Sequence, residues 1–280
     1  MLKKSYVLAL FVFLYAPIVV LIVFSFNDSR SRIKWDGFTF RWYAELFHDA
    51  EILSALWTTL TIGILSALAA TVIGTAAAVG ISNMRRIPRA MVLNVTYIPV
   101  VSPDIVTGVS LMILYVFMRL EMGYMTLLLS HITFNIPYVI FSILPKLQQL
   151  DKYLYEAALD LGARPRYAFS RVILPEIMPG VVSALLLTFT LSIDDFVISF
   201  FTTGSSVQNL ATVIYSMARR GINPKINVLS SLLFVSVISL LLVLNIRGNS
   251  AGAVAVEGGA TGPVSGQKRG GRRRLRAADR

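Results

Sequence analysis

Residues 146–176 read KLQQLDKYLYEAALDLGARPRYAFSRVILPE and stand between two strongly apolar blocks, 124–145 and 177–202. Within the stretch, Tyr155, Ala158, Leu159 and Gly162 follow the i, i+3, i+4, i+7 spacing of a helix with one apolar face. Asp151 can cap that helix, Gly162 permits a turn, and Pro165 suits the first residue of a second helix. The spacing predicts an amphipathic elbow of two short helices on a membrane surface.

Outward from the elbow, 55% of the 280 residues are hydrophobic and only 15% are charged. The apolar residues fall in six blocks, approximately 5–26, 54–82, 91–117, 124–145, 177–202 and 226–246. A hydrocarbon layer about 30 Å thick needs roughly 20 apolar helical residues to cross it, so each block is long enough. Barrel strands would be shorter and alternate in polarity, which Val7 to Phe26 and Leu229 to Ile246 do not. The expected fold is an all-α membrane protein with six transmembrane helices. With a cytoplasmic N-terminus, 18 of the 26 Lys and Arg residues fall inside, which predicts both termini to be cytoplasmic. Residues 1–247 form the expected transmembrane domain, and 248–280 a disordered basic tail beside anionic lipid rather than a nucleic-acid site.

The outer segment after the first block mixes Trp35, Phe38, Phe40, Trp42, Tyr43 and Phe47 with charges, and predicts a surface-lying helix near 39–50 or a docking surface for an external partner. In the second block, Gly63, Ala67, Ala70, Gly74 and Ala77 share one helix face, where small residues let another helix approach closely. Pro99 and Pro103 should bend the third block beside Asp104. Within the fifth block, Thr188, Ser192, Asp195, Ser199 and Thr202 make a polar seam, and Asp194 is rotated about 100° from it on a continuous helix. Asp195 is thus the expected pathway residue, and Asp194 the partner of a helix or subunit contact. His131, Asn135, Tyr138 and Ser142 form a second seam. A carboxylate at bilayer depth costs roughly 2.5–3.5 kcal/mol, so Asp104, Asp194 and Asp195 all need polar surroundings. The acids and His131 have no metal-ligand spacing, so no metal site is expected.

Glu156-Ala157-Ala158, Gly162 after three intervening residues, and Val172-Ile173-Leu174-Pro175 together resemble the EAA loop of bacterial ABC importer permeases, EAA-x3-G-x9-I-x-LP. Six matched positions arise by chance on the order of 10⁻⁷ per start position. Val172 departs from the usual Ile but stays β-branched and apolar. The resemblance implies a type I importer permease fold (MetI-like), in which Glu156, Ala157, Ala158, Gly162, Val172, Leu174 and Pro175 form the ATPase-coupling elbow. Ser102 to Val106, Ser130 to Phe134 and Thr188 to Asp195 further resemble the C-type permease of the spermidine/putrescine importer family. That likeness implies a second permease, two cytosolic ATPase subunits and an external substrate-binding protein as partners. It also implies a substrate pathway drawing on Asp104, Asp194, Asp195, Ser192, Ser199, His131 and Tyr138.

No G-x-x-x-x-G-K-[ST] phosphate loop occurs, so ATP and Mg are expected on the ATPase, with no cofactor held by this chain and no catalytic residue in it. Two alternatives stay open: the same importer architecture for another organic cation, amino-acid derivative or metal complex, and an ion-coupled transporter using Asp195 and His131 as a proton relay.

Overall fold

The computed structural model describes residues 2–29, 34–151, 153–220, 224–236 and 238–239. The helices are α1 (Leu2–Phe24), α2 (Arg41–Phe47), α3 (Ala50–Ser82), α4 (Arg86–Val101), α5 (Asp104–Phe117), α6 (Tyr124–Gln149), α7 (Leu154–Asp160), α8 (Pro165–Ala168), α9 (Leu174–Asp194), α10 (Val197–Thr202) and α11 (Leu210–Arg220). A twelfth, α12, covers Lys225–Ser236. Phe169–Ile173, between α8 and α9, is a π-helical turn.

The chain divides into a unit over Met1–Leu232, to which the contacts below belong, and a second over Leu233–Arg280. Among the described residues, four helical stretches are long and apolar enough to cross a bilayer, and a fifth crossing results if α4 and α5 count as one. Those two meet at 105° around Ser102 and Pro103. The bend expected in block 91–117 is thus present, at Ser102 and Pro103 rather than at Pro99, which lies inside α4; Pro103 lacks the N–H and disfavours helical geometry in the residue before it. Of the sixth block, only the α12 residues and 238–239 are described, and the tail 248–280 lies outside the described residues.

At the centre, α3, α6 and α9 pack against one another in all three pairings. Gly63, Ala67, Ala70 and Gly74 are all buried on the face of α3 that makes these contacts. The approach is closest at Gly74, where a Cβ would lie 2.6 Å from Val139 Cβ on α6. Around this seam, Ala70, Ala78, Val139, Ile143, Ile177 and Ala184 form an apolar core without exposed surface. By contrast, no residue of the apolar span Ser5–Phe24 of α1 is fully buried among the described residues. The surface helix expected near 39–50 is α2, anchored where buried Trp42 donates Nε1–H to the Asn27 carbonyl at 2.8 Å.

Candidate functional site

The elbow begins where Asp151 Oδ1 accepts from the Tyr153 N–H at 3.0 Å; Tyr153 rather than the expected Asp151 is the N-cap of α7, and it makes no side-chain cap. It turns at Gly162, whose φ of +85° lies in the left-handed region that side chains rarely adopt. There Gly162 N–H donates to Leu159 O at 2.8 Å and Ala163 N–H to Ala158 O at 3.1 Å. This is a Schellman closure, which satisfies carbonyls that the end of α7 would otherwise leave open. Pro165 then starts α8.

The resulting surface is open: Glu156, Ala157 and Gly162 are exposed, and Leu161 is 90% exposed. Ala158, Gly162 and Val172 share a groove of about 510 Å³ with Leu161 and Tyr167. Glu156 lies on the rim of a neighbouring crevice of about 860 Å³ that also takes in Asn83, Arg89, Asp151 and Tyr155. Half-buried Leu174 packs on the central core, while Pro175 sits exposed in the first turn of α9. The EAA positions thus divide between a displayed surface and a root in the bundle.

The carboxylates are arranged differently from the continuous-helix expectation. The chain leaves α9 at Asp195, whose φ of −64° and ψ of 121° are extended, and re-enters a helix at Val197. The 100° offset drawn along an unbroken helix does not apply across this break. Asp195 turns inward with a side chain 8% exposed and caps α10, where Oδ1 accepts from Ile198 N–H at 3.2 Å and Oδ2 from Ser199 N–H at 2.8 Å. Asp194 is exposed instead, as is Asp104 in the first turn of α5. These two lie within Coulombic range of each other, and half-buried Tyr138 lies within range of Asp104. Neither forms a salt bridge among the described residues.

The polar seams point into the bundle. Ser199 Oγ donates to Asp195 Oδ2 at 2.9 Å and accepts from Asn209 Nδ2 at 2.7 Å. Having one hydrogen, it can only accept from His131 Nε2 at 3.1 Å, so Nε2 carries a proton. One turn further along α6, Asn135 Nδ2 donates to Ser192 Oγ at 2.8 Å, and Ser192 Oγ lies 3.1 Å from Ser66 Oγ. Five helices or their caps are joined in this way: α3, α6, α9, α10 and the start of α11. Asn209 and Ser66 were missed in sequence, where only their being polar and next to or inside apolar blocks hints at a role. No group of three or more His, Cys, Asp or Glu that could hold a metal occurs among the described residues.

Sequence comparison matches residues 70–251 to the family described as binding-protein-dependent transport system inner membrane component. The spermidine/putrescine transport system permease protein PotC of Escherichia coli K12 is 39% identical over 244 residues, covering 87% of this chain and 92% of its own. The putrescine transport system permease protein PotI of the same organism is 40% identical over 235 residues, with 81% and 83% covered. In three dimensions the chain resembles a subunit of a bacterial ABC transporter involved in import of the acidic polysaccharide alginate, with a TM-score of 0.68 at 18% identity and 89% and 94% coverage. A chain of the MetNI methionine ABC transporter aligns with a TM-score of 0.60 at 19% identity, covering 71% and 95%. The fold is therefore that of an ABC importer permease, and the close relatives are transport permeases rather than enzymes. The chain belongs to the family of binding-protein-dependent transport system inner membrane components.

Proposed function

We propose that this chain is one of two permeases in an ATP-driven importer of polyamines, with six crossings, both termini cytoplasmic, and the elbow docked on a separate ATPase. The second permease completes the pathway, and an external binding protein delivers the substrate. In support of the substrate class, two relatives whose names carry spermidine or putrescine are about 40% identical over most of this chain. One geometric observation carries the mechanism. Asp104 and Asp194 stand exposed at two helix breaks, near each other and without a basic partner among the described residues.

A carboxylate at such depth is costly unless a cation or water meets it, and a protonated amine meets it transiently as it passes. Half-buried Tyr138 offers an aromatic face nearby, suited to an alkylammonium. Asp195 acts through structure, by capping α10 and so fixing the break that presents its neighbour. ATP binding closes the ATPase pair and moves the elbow; α9, rooted through Leu174 in the α3, α6 and α9 core, transmits that displacement to the break. Hydrolysis resets the cycle.

The test is ATP-dependent uptake of labelled spermidine and putrescine by the assembled complex in vesicles. Asp194→Asn should cut uptake about tenfold, the scale of one lost charge-assisted contact, while leaving assembly intact. Full uptake by that variant refutes the pathway role, and wild-type complex that moves no polyamine refutes the substrate.

A further inference from the structure

Two polar atoms of the central tether remain without a hydrogen-bond partner among the described residues. They are His131 Nδ1 and Asn135 Oδ1, on side chains with no exposed surface. The residues are four apart on α6, so their side chains neighbour each other on one helix face. Every other polar atom of the two side chains is engaged: Nε2 toward Ser199 Oγ, and Nδ2 toward Ser192 Oγ. Turning the ring over does not help, because it puts a carbon where Nε2 stands and loses the contact with Ser199 Oγ. Leaving a polar atom without a partner and without exposed surface is costly, and two on adjacent turns point to one shared ligand.

We infer that a single internal water binds between His131 Nδ1 and Asn135 Oδ1, and that these two side chains, with this water, are positioning residues for the α9–α10 break. Water matches the chemistry on both sides. It donates one hydrogen to Asn135 Oδ1, and at Nδ1 it donates to a lone pair or accepts from an N–H, whichever protonation state the ring holds. A bare monovalent or divalent cation does not match, because hard cations take about six oxygen ligands and only one oxygen and one ring nitrogen are offered. The water closes a continuous chain from Ser66 on α3 through Ser192, Asn135, His131 and Ser199 to Asp195 and Asn209. Its mechanical effect is to tie the break to the bundle, so that Asp195 stays inward as the α10 cap while Asp194 faces out.

The positional part rests on the pathway reading above, and the water does not. A structure of the assembled complex that resolves ordered solvent should show density at about 2.7–3.2 Å from both atoms. Well-defined side chains with nothing between them, or bonded to protein instead, overturn the site. For the positioning role, uptake by His131→Phe, His131→Gln and Asn135→Leu complexes is compared with wild type. The phenylalanine and leucine variants should lose about tenfold in maximal rate at unchanged KM, since the external protein captures substrate. Glutamine, which can still donate toward Ser199, should keep several times more activity than phenylalanine. Equal activities of the glutamine and phenylalanine variants, or wild-type rates in an assembled His131→Phe complex, overturn it. Absence of polyamine uptake by wild type would instead indict the substrate assignment and leave the density test standing.

Discussion

Replacing Gly74 by alanine probes the contact that sets the distance between α3 and α6. The new Cβ would lie 2.6 Å from Val139 Cβ, 2.7 Å from Val139 Cγ1 and 3.3 Å from the Ile136 carbonyl oxygen. Non-bonded carbons settle at about 3.5–4.0 Å, so the helices must part by about 1 Å at this level. Rotating the valine gives no relief, because its Cβ is fixed to the α6 backbone. Inside a bilayer, helix association rests on van der Waals fit rather than on transfer from water, so a separation of this size weakens the neighbouring contacts as well. Overpacking of this kind costs about 1–3 kcal/mol. Unfolding of the purified complex in a denaturing detergent series should report that loss for Gly74→Ala. Val139→Gly removes the obstructing atoms from the other side and is itself destabilising. Combining the two should recover about 1 kcal/mol relative to the sum of the singles, as expected for residues in direct contact. Wild-type stability of the single variant, or strict additivity in the double, would refute the close-approach argument.

On the elbow, Glu156→Lys reverses the charge of an exposed α7 side chain without touching the core, so the complex should reach the membrane at normal abundance but lose ATP-driven uptake by about tenfold or more. Unchanged uptake would remove Glu156 from the docking surface. At the start of α3, Lys225 Nζ donates to Asp49 Oδ2 at 2.8 Å, while Asp49 Oδ1 accepts from Ile52 N–H. The Lys225 hydrogen bond holds the Asp49 carboxyl below its ordinary value of 3.8; burial opposes it, and the backbone N–H of Ile52 adds a smaller lowering effect. Its contribution is present in full above that ordinary value and is lost as pH falls through the lowered folded value. Asp49→Asn should therefore cost about 1 kcal/mol at neutral pH. The gap to wild type should close in acid; a deficit that persists there would show that the carboxylate charge is not its source.

Periodicity and length sufficed for much of the architecture. The elbow spacing from Asp151 to Pro165 anticipates α7, the left-handed Gly162 and α8, because each depends on neighbours within a few residues. The small-residue stripe on α3 was equally legible, since only one helix face can carry Gly63, Ala67, Ala70 and Gly74 together. Pro103 announced the α4–α5 break, but not its angle of 105°.

The acids were less legible. A helical wheel assumes a helix, and the chain interrupts it between Asp194 and Val197 with no proline or glycine to mark the place. Once the helix stops there, Asp195 reaches forward to cap α10 and stays in the buried seam with Ser192 and Ser199, while Asp194 is left exposed, so the seam read from spacing holds although the helix that carries it is broken. Asn209 entered the tether by folding back from beyond α10 to Ser199, ten residues away.

Local chemistry in the chain therefore decided which segments are helices, where the elbow turns and which family the protein joins. Which of two adjacent carboxylates is buried was decided only in three dimensions. The physical reason is that the Ile198 and Ser199 N–H groups that Asp195 accepts from are left open only where the helix stops before Val197, and the pocket around them is closed by residues distant in sequence, with His131 on α6 and Asn209 ahead of α11 both held against Ser199.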